Sequence, residues 1–178
     1  MTFANQLTLV RLLAVVPVMV ALYIQFPGNR TVATVVFVVA ILTDYLDGIL
    51  ARRSKEVTAF GKLMDSVADK AVIVSLFFAF VAEGSMPAWM ATAMVVREFA
   101  VTGLRMVSVE AGEVIAANNW GKAKMVSQSL AVLILLLGYV NLGYWAMLIA
   151  TVLTLLSGWS YLRDAPRIIV TTAGQDRK

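Results

Sequence analysis

The chain has 178 residues, 60% of them apolar, a mean hydropathy of +0.82 and a formal charge of +4. A water-soluble domain of this length cannot hide so much apolar surface, so lipid must solvate part of it. Cysteine and histidine are both absent, which excludes disulfides, thiolate or imidazole metal sites and a cysteine nucleophile.

Six apolar stretches follow in chain order: Leu7–Phe26, Thr31–Ala51, Leu63–Ala82, Pro87–Leu104, Lys122–Val140 and Leu142–Leu162. Each is close to the roughly 20 residues that cross a bilayer as a helix. Within the first, Arg11 precedes an apolar run as in a signal peptide, but no small-residue cleavage site closes it, and a retained helix is expected. Breakers punctuate the turns at Pro27-Gly28-Asn29, Gly84 to Pro87 and Asn141 to Gly143. The expected fold is therefore all-α: one six-helix, up-down transmembrane domain over residues 1–170, then a polar tail over 171–178.

With the N-terminus cytoplasmic, the first, third and fifth connections face outward and carry one basic residue, Arg30. The other fourteen of the 15 Lys and Arg residues fall at or near cytoplasmic ends. That asymmetry places both termini in the cytoplasm and makes the inner leaflet, not nucleic acid, the reason for the positive charge.

Polar residues interrupt the cytoplasmic halves of the four central stretches. Asp44 and Asp47 fall in the second, Asp65, Asp69 and Lys70 in the third, Arg97 and Glu98 in the fourth with Arg105 at its cytoplasmic end, and Ser127 and Gln128 in the fifth. Charges facing lipid cost several kcal/mol each, so these side chains are expected to line a cavity open to the cytoplasm and closed toward the exterior. The first and last stretches are cleaner and read as scaffold or subunit contact.

Asp44 and Asp47 are spaced i, i+3, and Asp65 and Asp69 i, i+4, so each pair shares a helix face. Four carboxylates converging in a confined site either take up protons or hold cations. Without imidazole or thiolate, they suit one or two Mg2+ or Mn2+ ions. Gly48, Ala51 and Gly61 leave room on the same faces, although small residues in membrane helices also serve packing. Arg52, in the headgroup region, can pair with a phosphate.

The run Asp44-x-x-Asp47-Gly48-x-x-Ala51-Arg52, eight residues, Gly61-x-x-x-Asp65-x-x-x-Asp69 resembles the complete motif of the CDP-alcohol phosphatidyltransferases. The resemblance implies a six-helix homodimer with a two-metal site on the cytoplasmic side of the cell membrane. It implies that Asp44, Asp47, Asp65 and Asp69 contact metal, with Asp69 also the general base. It assigns Asn5, Thr8, Asp44, Gly48, Ala51, Arg52, Thr58 and Gly61 to the CDP part of a CDP-diacylglycerol donor.

Within that family, Asn5-Gln6-Leu7-Thr8 with Arg11, the segment Arg97-Glu98-Phe99-Ala100-Val101-Thr102-Gly103-Leu104-Arg105, and Gly121-Lys122-Ala123-Lys124 with Gln128 resemble the bacterial phosphatidylglycerophosphate synthases. Ala4 and Met125 depart from the residues usual there, Pro and Thr. The likeness implies glycerol 3-phosphate as acceptor. Arg97 and Arg105 lie about 80° apart around a helix, and with Lys122 and Lys124 they are the expected acceptor-phosphate residues, with Glu98 orienting an arginine. Lys122 and Lys124 also fit ordinary cytoplasmic anchoring. Other acceptors (inositol phosphate, serine, phosphatidylglycerol) use the same donor motif, and intramembrane carboxylates also line the paths of divalent metal transporters.

Overall fold

In a computed structural model, the backbone is described for residues 3–24, 26–51, 59–110 and 119–175, and side chains for 12–24, 26–43, 70–108, 120–159, 161 and 163. Six helices make up the fold: α1 Phe3–Tyr23, α2 Asn29–Ala51, α3 Ala59–Ala82, α4 Ala88–Glu110, α5 Asn119–Leu136 and α6 Val140–Gln175. No strand occurs among the described residues. The all-α expectation therefore holds, and each expected stretch coincides with one helix. The bounds differ most in the second half: α4 runs on past Leu104 to Glu110, α5 stops at Leu136, short of Val140, and α6 runs on past Leu162 to Gln175.

Three connections lie together at one end of the bundle, which we call the turn end. Arg30, in the first turn of α2, shows this directly. Its Nη1 donates to the Leu135 carbonyl near the end of α5 at 2.9 Å, and its Nη2 to Glu83 just beyond α3 at 3.0 Å. Each connection contains a glycine at positive φ: Gly28 at 87°, Gly84 at 74° and Gly138 at 87°. Beyond α3, the Ser85 N–H bonds the Phe80 carbonyl at 3.0 Å and the Gly84 N–H bonds Val81 at 3.1 Å. Beyond α5, Tyr139 bonds Ile134 at 3.2 Å and Gly138 bonds Leu135 at 2.9 Å. Both patterns close a helix C-terminus through a left-handed glycine, satisfying carbonyls that would otherwise be orphaned.

The fifth connection corrects the expected breaker. Gly138 makes the turn, whereas Asn141 to Gly143 lie in the first turn of α6. Gly143 is there for closeness: a Cβ on it would sit 2.3 Å from Leu135 Cδ2 and 2.6 Å from Leu135 Cγ. A glycine that permits helix contact and one that permits a turn look alike in sequence.

The principal contacts are α5 with α6, α1 with α3 and with α2, and α4 with α6, while α3 also meets α4 and α5 and α2 meets α5. Helices α1 and α6 are thus the packing scaffolds of the two halves. A single apolar core draws on all six, with Val18, Phe37, Leu76, Phe77, Met90, Met94, Val132, Leu135 and Met147 each at most 2% exposed. Toward the other end of the bundle, this core gives way to polar side chains.

Among the described residues, one stretch, Val140–Trp159, is long and apolar enough to cross a membrane (20 residues, mean hydropathy 1.6). Leu12–Tyr23, Asn29–Thr43 and Lys70–Ala82 are shorter apolar helical stretches.

Candidate active site

Asp44 and Asp47 lie on the last turns of α2, and Asp65 and Asp69 on the first turns of α3. Both segments are continuous helix, on which i, i+3 and i, i+4 positions share a face. Gly48 and Ala51 follow on α2, Gly61 opens α3, and Asn5 and Thr8 belong to α1. All these positions lie away from the turn end. The side chains of these residues, and Arg52 and Thr58 altogether, lie outside the described residues. Among the described residues, no group of three Asp or Glu side chains is placed to hold a metal ion.

The expected acceptor residues divide into two kinds. Arg105 on α4 and Lys122 on α5 are exposed. Arg97 and Lys124 are drawn together inside the bundle by Glu98. One carboxylate oxygen of Glu98, Oε1, accepts from Arg97 Nη1 at 3.1 Å and also from Lys124 Nζ. All three side chains are about nine-tenths buried. The expectation that Glu98 orients an arginine agrees with this arrangement, and the carboxylate holds the lysine too. Isolated burial of any one of these charges would be prohibitive, so the cluster stands or falls together.

Helix α6 supplies the rest of the setting. Arg97 Nη2 donates to Ser157 Oγ at 2.7 Å, and its Cζ lies 5.9 Å from the centroid of the Tyr161 ring. Arg97 Nε is buried without a hydrogen-bond partner among the described residues. Beneath this layer, Gln128 Nε2 donates to Thr154 Oγ1 at 2.9 Å and rests 3.3 Å from Met94 Sδ. The stack then passes into the apolar core.

Sequence reasoning placed Arg97, Glu98 and Gln128 in the interior but missed Thr154, Ser157 and Tyr161, all buried on α6. The signal was available: Thr151, Thr154, Ser157, Gly158 and Tyr161 recur at helical spacing along one face. It is faint because hydroxyls interrupt an apolar run far less than charges do and can satisfy themselves on their own helix, as Thr154 does by donating to the Ala150 carbonyl at 2.6 Å.

At the turn end, which the sequence reading expects to be closed, a cleft of about 670 Å3 opens between Phe26, Arg30, Glu83, Ser85 and Val140. The apolar core lies between that cleft and the cation layer.

A profile of the CDP-alcohol phosphatidyltransferase family matches residues 1–156. Among curated relatives, the CDP-diacylglycerol–glycerol-3-phosphate 3-phosphatidyltransferase of Bacillus subtilis is 38% identical over 147 residues, 77% of this chain and 75% of the relative. The protein of the same name from Haemophilus influenzae is 36% identical, covering 89% of this chain and 90% of its own length. A probable phosphatidylglycerophosphate synthase of Mycobacterium tuberculosis is 34% identical over 93% of this chain and 82% of its own.

Proposed function

The chain belongs to the CDP-alcohol phosphatidyltransferase family, and we propose that it moves the phosphatidyl group of CDP-diacylglycerol to glycerol 3-phosphate, giving phosphatidylglycerophosphate and CMP. The observation that carries this reading is the complete eight-residue motif in the sequence, seven of its residues on α2 and α3 and Arg52 outside the described residues, in a chain matched along most of its length by relatives named for that acceptor.

We read all six helices as membrane spans, with both termini and the motif end cytoplasmic. Large apolar side chains stand exposed on every helix, among them Val16 on α1, Val35 on α2, Phe78 on α3, Phe99 on α4, Leu130 on α5 and Leu155 on α6. Such a surface suits acyl chains and not water. Exposed aromatics mark the two ends: Tyr23, Trp89, Tyr139 and Trp145 at one, Trp120 and Trp159 at the other. Tyr and Trp concentrate at membrane–water boundaries in this way. Polar groups on apolar faces are satisfied within their own helices, as when Thr92 donates to the Ala88 carbonyl at 2.9 Å.

The donor set of Asp44, Asp47, Asp65 and Asp69 fits hard divalent cations, being all carboxylate in a chain without imidazole or thiolate. Two Mg2+ or Mn2+ ions bound there would neutralise the donor pyrophosphate and the charge developing on CMP. In the proposed site, Asn5, Thr8, Gly48, Ala51, Arg52, Thr58 and Gly61 seat the CDP head while the acyl chains remain in lipid. Arg97, Arg105, Lys122 and Lys124 attract the acceptor phosphate. Asp69 takes the proton from the primary hydroxyl of glycerol 3-phosphate, whose oxygen attacks the lipid-side phosphorus. The bond from that phosphorus to the CMP oxygen breaks, and CMP leaves with the electron pair. A homodimer of this unit completes the proposed assembly.

The test is incubation of purified protein with Mg2+, CDP-diacylglycerol and one acceptor at a time: glycerol 3-phosphate, inositol phosphate, serine or phosphatidylglycerol. CMP release and a new lipid only with glycerol 3-phosphate are expected. Turnover with a different acceptor instead would overturn the assignment, and Mn2+ uptake into vesicles without CMP release would favour transport.

A further inference from the structure

Arg97 belongs to α4, yet most of what fixes its side chain comes from α6, a helix that carries none of the motif. The stem runs over Gly158, where a Cβ would sit 2.8 Å from Arg97 Cγ, 3.2 Å from Nε and 3.6 Å from Cδ. The clash would fall on the root of the side chain, which cannot step aside by rotating its tip. Further out, Ser157 Oγ accepts from Nη2 and the Tyr161 ring lies beside the guanidinium. Glu98 fixes the remaining terminal nitrogen. So constrained, the guanidinium keeps Nε as a buried donor with no partner among the described residues. Two cations, Arg97 and Lys124, sharing the single carboxylate of Glu98 leave one positive charge uncompensated, which favours an added anion at the guanidinium's outer edge.

We propose that α6 sets the affinity for the phosphorylated acceptor, Gly158 and Ser157 acting as positioning residues that hold Arg97 in its phosphate-binding pose. The inference rests on the reading of Arg97 as an acceptor-phosphate residue. Gly158 gives the stem a path that any side chain would close. Ser157 fixes the plane of the fork, because a hydrogen bond to one terminal nitrogen defines where the other two nitrogens point. Loss of a charge-assisted hydrogen bond, or displacement of the stem, should weaken acceptor binding by about tenfold. The donor is seated by α1, α2 and α3 and should not sense the change.

The experiment compares wild type with Ser157→Ala, Ser157→Thr, Gly158→Ala and Arg97→Lys, measuring kcat and KM for glycerol 3-phosphate and for CDP-diacylglycerol separately. Thermal unfolding in detergent confirms that each variant is folded. Expected are a KM for glycerol 3-phosphate raised about tenfold in Ser157→Ala and Gly158→Ala, an unchanged KM for the donor, and recovery in Ser157→Thr, which keeps the hydroxyl. Should Gly158→Ala fail to fold, the Ser157 pair decides. A raised acceptor KM in Arg97→Lys alone would overturn the α6 inference and leave the Arg97 assignment standing. An unchanged acceptor KM in Arg97→Lys as well would remove that assignment and the inference with it. Equal rises in both KM values would mark Ser157 and Gly158 as general packing residues and overturn the proposal.

Discussion

Glu98 carries two cations on one carboxylate oxygen, with every member of the trio about nine-tenths buried. Removing the carboxylate strands Arg97 and Lys124 inside the bundle, a change that costs about 3–5 kcal/mol in comparable buried pairs. Glu98→Ala should therefore lower the thermal unfolding midpoint in detergent sharply, whereas Lys122→Ala, at an exposed position, should leave it nearly unchanged. Equal midpoints for the two variants would mean that the trio contributes little to the fold. At Asp69 the consequence is chemical. Losing a general base typically slows a reaction by about a hundredfold to ten-thousandfold. Asp69→Asn should show such a fall in CMP release while CDP-diacylglycerol binding stays measurable, and full activity would remove Asp69 as the base.

The helices show which features are legible from sequence and which are hidden. Long apolar runs located all six helices, because a long run of apolar residues bounded by breakers is the plainest pattern a sequence offers. The end of α5 was harder, since Gly138 and Gly143 are both potential breakers, and only their surroundings separate the turn from the close approach. Two substitutions make that difference measurable. Gly138→Ala forces an alanine to φ near 87° and should cost about 1 kcal/mol of stability. Gly143→Ala drives a methyl into Leu135, itself 1% exposed, and should cost about 1–3 kcal/mol through overpacking between α5 and α6. Melting curves that rank the two in the opposite order would mean that the α5–α6 contact relaxes more easily than its packing suggests. The polar face of α6 was hidden for a different reason. Charges announce themselves in an apolar helix, but the hydroxyls of Thr154 and Ser157 are much weaker interruptions and gain significance only when Gln128 and Arg97 arrive from other helices.

Across the whole molecule, one end is organised by three glycine turns, the Arg30–Glu83 ion pair at 3.0 Å and an apolar core, and the other holds the motif and the cation layer. The proposed orientation can be read without disturbing native thiols, because the chain has no cysteine. In intact cells, a membrane-impermeant maleimide should label Asn141→Cys at the turn end and leave Lys178→Cys unlabelled until the cells are opened; the reverse pattern would invert the topology. The central physical claim is that carboxylates from α2 and α3 act through divalent cations on a nucleotide-linked lipid. It is tested most directly by the rate of CMP release from CDP-diacylglycerol and glycerol 3-phosphate, measured with purified protein in excess chelator and again after Mg2+ or Mn2+ is restored. No turnover in chelator and recovery on metal addition are expected in wild type, with no recovery in Asp65→Asn. An undiminished rate in chelator would contradict it.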